Sequence, residues 1–320
     1  MANPFYSWQK LLSRGRLGKS GNSSFKIKLL KLNQKELNFE KKSFYFLFAP
    51  IFLLIALYVY LKKKIIPNPK YNFYFFDGAS KLCREVKENA AKWCALDLTY
   101  NYRSEKNSDL IYDFFWHNLR NACALRNRLK LIKFLLIKNI EEVSKKENEV
   151  RLISVAAGSA QGVIEAITKV KEKGILVKGI LIDLDHSAIE NSKKLAQEME
   201  IENQLTFINK TASSIIEIGK DFKPNLIEMV GFLEYRPFDK AVKLVTSIYQ
   251  VLEKGGVFLV SQIAPNAESV FLREVINWPM IYRKPEELAK ILSLSGFSLD
   301  NCIFYEEPLM VHYIAECKKL

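Results

Sequence analysis

Two short apolar runs, each ending in a feature suited to a ligand, constrain this chain most. The first is Leu152-Ile-Ser-Val-Ala-Ala-Gly158-Ser-Ala-Gln-Gly162, which reads as a buried strand, a glycine-bearing turn and the start of a helix. The second, Ile180-Leu-Ile-Asp183-Leu-Asp185, reads as another buried strand with a carboxylate at its carboxyl end. Two parallel strands joined by one helix bring the turn and the carboxylate together at the carboxyl edge of a sheet, where open α/β sheets bind ligands. Gly158 and Gly162 carry no Cβ and let a ligand approach the backbone closely. A carboxylate at that place can accept two hydrogen bonds from a ribose diol, so the pair points to an adenosine-type cofactor. Gly158-Ser-Ala-Gln-Gly162 does not supply the GxGxxG of a dinucleotide turn, and no GK[ST] of a P-loop follows it.

From residue 148 onward the pattern is regular. Strands are expected at 150–156, 179–183, 205–209, 226–231, 257–262, 297–305 and 310–317. Helices are expected at 162–172, 186–199, 212–219, 238–253, 267–275 and 285–295. Strands alternating with helices of this length mean βαβ units and a mostly parallel sheet. Only Glu306-Glu307-Pro308-Leu309 separates the last two strands, too few residues for a helical crossover, so these two form an antiparallel hairpin. The expected class is α/β: a Rossmann-like, doubly wound sheet of seven strands with the last antiparallel.

With that topology on the page, residues 149–317 resemble the class I S-adenosylmethionine-dependent methyltransferases. The resemblance rests on Val155-Ala-Ala-Gly158-Ser-Ala-Gln-Gly162 as the cofactor loop and on Asp183-Leu-Asp185-His-Ser-Ala-Ile189 as the ribose-binding turn. It rests further on Gly231-Phe-Leu-Glu234-Tyr235, on Val251-Leu-Glu-Lys-Gly255-Gly256-Val-Phe-Leu-Val260, and on Lys284-Pro285 followed by Ser295-Gly296-Phe297. It implies S-adenosylmethionine as cofactor, held by Ala157, Gly158, Gly162, Asp183, Leu184, Thr211 and Ala212, with Asp185 the alternative to Asp183 for the ribose. It places Glu234 and Tyr235, after the fourth strand, where methyl group and acceptor meet, as the catalytic candidates. Three positions depart from the family: Ala156 replaces its usual acid, Ala160 its middle loop glycine, and Thr211 the acid beside the adenine. Glu228, a carboxylate inside an apolar strand, needs a partner, and a cofactor amine is one candidate.

The amino-terminal part has a different character. Residues 1–70 hold fourteen Lys and Arg against two Glu, whereas the other 250 residues hold 34 basic and 33 acidic side chains. The main domain is therefore close to neutral, which argues against a nucleic-acid groove there. Residues 1–35 contain no Asp or Glu, as in organelle-targeting peptides. A basic tail beside an apolar segment also suits an anionic lipid surface. Residues 43–61 carry no charge, and Lys41, Lys42 and Lys62–Lys64 flank them. As a helix of about 28 Å they predict a membrane span. Pro67-Asn-Pro69 then acts as a linker. Residues 79–96 and 109–139 predict helices, the second with a stripe at Leu125, Leu129, Ile132 and Leu136 and a basic opposite side. On that side Arg126, or Arg128, is the candidate for an acidic or carboxylate-bearing ligand, while Trp278 and Tyr282 lie in a loop that can cover a substrate. The five cysteines and three histidines show no metal-ligand spacing, so no metal is expected.

The expected organisation is a basic segment at 1–42, a transmembrane helix at 43–61, a helical lead-in at 71–147 and the methyltransferase-like domain at 148–320. The expected activity is methyl transfer to a small, membrane-associated or lipid-like molecule by a membrane-anchored chain whose catalytic domain faces the cytoplasm. The alternative is a membrane-tethered scaffold that kept the fold without the chemistry.

Overall fold

The computed structural model describes residues 27, 29–31, 37–40, 47–104 and 109–320. The strands are β1 (Leu29–Lys31), β2 (Val150–Val155), β3 (Val177–Asp183), β4 (Leu205–Asn209), β5 (Leu226–Met229), β6 (Val257–Ile263), β7 (Cys302–Glu306) and β8 (His312–Lys318). They form one sheet in the order β1-β7-β8-β6-β5-β2-β3-β4. Every neighbouring pair is parallel except those of β8, which runs antiparallel to both β6 and β7. The seven expected strands are all present with the last reversed. The expectation of seven is corrected to eight, because β1 adds to the outer edge of β7, Leu29 opposite Phe304. Three residues are too few to show a strand's alternation in sequence.

The principal helices are α1 (Ala49–Ile65), α2 (Lys81–Glu88), α3 (Trp93–Asn101), α4 (Arg120–Ser144), α5 (Gln161–Lys171), α6 (His186–Glu198), α7 (Ile215–Phe222), α8 (Phe238–Val251), α9 (Ser269–Glu274) and α10 (Pro285–Leu294). α7, α8 and α10 cover one sheet face, and α4, α5 and α6 cover the other. Strands covered on both faces read as unbroken apolar runs, and all seven residues of β6 are buried. The chain winds outward from the centre in two directions, β2 to β3 and β4 on one side, β5 to β6 on the other. The reversal falls between β2 and β5, where Ser154 lies opposite Glu228.

The amino-terminal helices build a third apolar cluster with α9 and Trp278. The helix expected over 79–96 is two, α2 and α3, separated by a turn in which Ala91 takes a positive φ of 66°. The helix expected over 109–139 is interrupted by a π-turn at Asp113–His117 before α4 begins. The Glu268 carboxylate accepts from the Arg120 and Asn121 backbone N–H groups, both at 2.9 Å. A fixed anion at this helix start satisfies otherwise unpaired donors.

The predicted transmembrane helix over 43–61 is not supported by the described residues. Residues 43–46 lie outside the described residues, as does most of the basic segment 1–42, and no helix among the described residues is long and apolar enough to cross a membrane. α1 has 17 residues, about 26 Å at 1.5 Å per residue, and its last turn already contains Lys62, Lys63 and Lys64. One flank is buried in protein through Phe52, Ala56 and Val59. Phe52 packs edge-on against Phe271 of α9, with ring centroids 5.0 Å apart. Lys63 Nζ donates to the Glu274 carbonyl at 2.7 Å. The apolar run in the sequence reflects one flank packed on protein and an outer flank that stays exposed.

Candidate functional site

The loop after β2 keeps a glycine-like path without glycines at every expected place. Ala156, Gly158 and Ala160 have φ of 54°, 56° and 49°, a left-handed region that costs a residue with a Cβ roughly 1–2 kcal/mol. The two alanines that depart from the family therefore leave the turn's course intact. The Gly158 N–H donates to Asp183 Oδ2 at 2.8 Å, and the Asp185 N–H donates to Asp183 Oδ1 at 2.8 Å. Asp183 thus ties the two strand ends together and keeps a remaining lone pair on each oxygen. Asp185 instead caps α6, accepting from the Ser187 N–H at 2.9 Å and its hydroxyl at 2.6 Å. These bonds, the hydroxyl's first, hold its carboxyl below the usual range. Asn209 Nδ2 donates to the carbonyls of Asp183 and Leu184 and pins the turn between them. Gly162 has a second duty, since a Cβ there would meet Leu129 and Ile132 of α4 at 3.2 and 3.3 Å. Its lack of side chain lets α5 pack closely against α4.

These elements border a cleft of about 580 Å³ at the reversal point of the sheet, within the range of small-molecule sites. Ala157, Gly158, Gly162, Asp183, Leu184, Thr211 and Ala212, all expected to hold the cofactor, line it together, as do Tyr235, Glu228 and Arg128. Glu228 is buried, and Ser154 Oγ donates to its Oε2 at 2.6 Å. Burial lifts its carboxyl to about 7, against the Ser154 hydroxyl, the Val230 N–H and the Arg128 charge. Trp93 of α3 closes over the cofactor loop, with its Nε1 donating to Ser187 Oγ at 2.8 Å. Trp93 and Tyr100 were not singled out in the sequence, because only tertiary packing brings α3 to the cleft.

The short 3₁₀ turn Leu233–Tyr235 carries the two catalytic candidates. Arg283 holds it in place, donating to the carbonyls of Leu233 (3.0 Å) and Arg236 and to Gln262 Oε1 at 2.9 Å. Glu234 Oε1 sits 3.6 Å from Arg128 Nη1, with both side chains buried. Burial raises the Glu234 carboxyl despite the Arg128 charge. Arg128 Nη2 donates to Tyr100 Oη at 2.9 Å. Burial works against the Arg128 charge, but Tyr100, Glu234 and Tyr235 around it hold its proton more firmly than usual. The Tyr235 hydroxyl accepts from Trp278 Nε1 at 2.7 Å. Burial and the neighbouring Glu234 push its pKa up, which suits it to donate a hydrogen bond and unfits it as a base.

Arg126 is corrected. Its guanidinium pairs with Glu40, Nε to Oε1 at 2.5 Å and Nη2 to Oε2 at 2.6 Å, and lines no part of the cleft. Two residues on a helix are about 200° apart, so Arg128 faces the cleft when Arg126 cannot. Tyr282 also misses the cleft. Its hydroxyl is buried with no hydrogen-bond partner, and its ring packs in the small cluster beside Met280. Trp278 stacks on Trp116 at 5.7 Å and walls a recess beneath the cleft. Among the described residues no group of three or more His, Cys, Asp or Glu could hold a metal.

Comparison with known proteins bears on the family and the fold. A family model described as "Putative methyltransferase" matches residues 95–300. No curated protein matches the sequence. Among solved structures, a possible exported protein from Bordetella parapertussis is similar at a TM-score of 0.64 and 15% identity, covering 85% of this chain and 96% of that one. The CurJ carbon methyltransferase is similar at a TM-score of 0.50 and 12% identity, over 76% of this chain and 67% of that one. The S-adenosylmethionine-dependent methyltransferase SibL is similar at 0.50 and 11%, over 83% and 74%. Such identities speak to the fold alone, whereas the family model spans well over half of the sequence. The chain belongs to that methyltransferase family, and its fold is that of S-adenosylmethionine-dependent methyltransferases such as SibL.

Proposed function

We propose that this chain transfers a methyl group from S-adenosylmethionine to a small acceptor with an apolar body, taken up from a lipid surface. The observation that carries the cofactor is the Gly158–Asp183 hydrogen bond at 2.8 Å, which sets a Cβ-free turn beside a carboxylate at the sheet's reversal point. Asp183 would take the ribose hydroxyls, and Leu184, Thr211 and Ala212 would border the base. Glu228, buried and close to neutral pH in its titration, would meet a cationic group of the cofactor. The bound sulfonium supplies an electrophilic methyl carbon without further activation. The chain's own residues therefore need to orient the acceptor and exclude water. Tyr235 and Trp278 form the wall that positions it, and α3 with Trp93 shields the cleft.

Losing a charged hydrogen bond costs about 1.5–3 kcal/mol, so Asp183→Ala should weaken S-adenosylhomocysteine binding roughly ten- to a hundredfold. Titration calorimetry checks this. Unchanged affinity in a folded variant removes the ribose assignment, and no binding by the wild type favours the scaffold reading.

The lipid surface is supported by the outer side of α1. Ile51, Leu54, Leu57, Tyr58, Leu61 and Ile65 are each between 45% and 79% exposed. Contiguous apolar surface of this kind marks an interaction site. Lys62, Lys63 and Lys64 close the helix, and Lys64 Nζ lies 4.6 Å from the Tyr60 ring. Apolar side chains edged by lysines fit a helix lying in the plane of an anionic lipid interface. The protein should co-sediment with phosphatidylserine-containing vesicles at least tenfold more than with phosphatidylcholine alone, and Leu54→Glu/Leu61→Glu should abolish the difference. Equal sedimentation contradicts it. A dimer that this double variant dissociates would assign the surface to a second copy instead.

A further inference from the structure

Beneath the acceptor end of the cleft lies a recess walled by Leu125, Arg128, Glu234, Trp278, Met280 and His312, among others. Four polar atoms of its wall are buried with no hydrogen-bond partner: Arg128 Nε, Glu234 Oε2, and both His312 ring nitrogens. The residues that carry them are only 2%, 2% and 1% exposed. Buried polar groups are normally paired, and four unpaired around one small space call for a group that enters and pairs with them. The free space is about 20 Å³, enough for one water-sized group.

The chemistry of the wall narrows that group. Arg128 Nε–H donates, and Glu234 Oε2, whose partner oxygen Oε1 faces Arg128 Nη1 at 3.6 Å, accepts. Burial and the Arg128 charge keep the His312 imidazole neutral, so it offers one donor and one acceptor. Arg128 and Glu234 already face each other at 3.6 Å, so an ammonium or a carboxylate would enter with no further counter-charge to offset its desolvation. A carbonyl could only accept. A hydroxyl both donates and accepts and carries no charge. Of the other polar residues in the wall, Asn121 donates to Asn266 and Glu268 and the Tyr235 hydroxyl accepts from Trp278, while Trp116, Leu272 and Ile263 add apolar surface. None of the cofactor-loop residues 156–162, nor 183–185, lines the recess.

We propose that this recess anchors a hydroxyl of the acceptor, at the end remote from the methylated atom, with Arg128, Glu234 and His312 as its specificity-determining residues. The inference rests on the methyltransferase reading, with the cleft as cofactor site. It adds the acceptor class: an apolar or aromatic body bearing an uncharged hydroxyl distal to the reacting position. His312 was not singled out in the sequence. It opens β8 opposite Ile263, and only the antiparallel insertion of that strand brings it under the cleft.

The test uses the full chain labelled with ¹⁵N-histidine and saturated with S-adenosylhomocysteine, titrated with phenol and with toluene as probes that differ by one hydroxyl. Phenol should move the His312 ring ¹⁵N resonances and bind at least tenfold tighter than toluene. In His312→Phe the preference should fall to about onefold. Equal affinity of the two probes, or His312 resonances that phenol leaves in place, would mean that the recess holds only a structural water and would overturn the proposal. Should His312→Phe fail to fold, the wild-type probe pair still decides. Absence of S-adenosylhomocysteine binding in the same samples would instead count against the cofactor reading on which the inference rests.

Discussion

Arg128→Met is expected to lower the stability of the folded chain by about 3–5 kcal/mol, the usual consequence of removing one partner of a buried ion pair. Glu234 would be left 2% exposed beside an apolar side chain, and Tyr100 would lose its guanidinium donor. Nothing in the recess could replace the charge, since His312 is neutral there. The double variant Arg128→Met/Glu234→Leu removes both charges together and should recover most of the loss, because a buried pair replaced by apolar groups is often neutral in stability. Denaturant unfolding of the two single variants and the double closes the cycle. Additive effects would show that the 3.6 Å pair carries no coupling. Activity should remain lost in the double variant even where stability returns, because the wall of the acceptor recess is gone.

The second large effect concerns Glu228. Its carboxyl is lifted from 4.5 to about 7 in the folded chain, so the sign of its linkage is destabilising toward high pH. Below about pH 4.5 folded and unfolded chains both hold the proton, and no penalty arises. Between 4.5 and 7 the unfolded chain releases it first, and stability falls. Above 7 both are ionised and the full penalty stands, roughly 3–4 kcal/mol at 1.36 kcal/mol for each pH unit of separation. Glu228→Gln keeps an acceptor for the Ser154 hydroxyl and cannot ionise. It should be more stable than the wild type by that amount at pH 8 and equal to it at pH 4, measured by urea unfolding. A cationic cofactor prefers the ionised form, so S-adenosylmethionine affinity should rise about tenfold between pH 5.5 and 7.5 in the wild type and stay flat in Glu228→Gln. A wild-type affinity without that slope would place the cationic group elsewhere.

Much of the sheet is legible in the sequence because its central strands are buried on both faces. β2, β3, β5 and β6 each read as an apolar run with a polar turn behind it, and the edge strand β4 is covered less completely. The hairpin of β7 and β8 follows from the shortness of 306–309. The amino-terminal half is less legible for a physical reason. The sequence of α1 is apolar around its circumference, and composition alone does not tell a helix with one flank packed on protein from one that crosses a bilayer. Its first buried side chain, Phe52, and its outward Leu54 look alike until α9 is placed. Arg126 and Arg128 are both basic positions beside the same stripe of Leu125, Leu129 and Ile132, and only the rotation of α4 sends one to Glu40 and the other to the cleft. Trp93, Tyr100 and His312 gain their meaning from contacts across the fold, which no local pattern records.

The most direct measurement is a crystal structure of the full chain grown with saturating S-adenosylhomocysteine. The account predicts nucleoside density bordered by Gly158, Leu184 and Thr211, with the sugar hydroxyls on the Asp183 carboxylate. A cleft left empty at saturation, or filled by Trp93 and its neighbours with the ligand bound elsewhere, would contradict it.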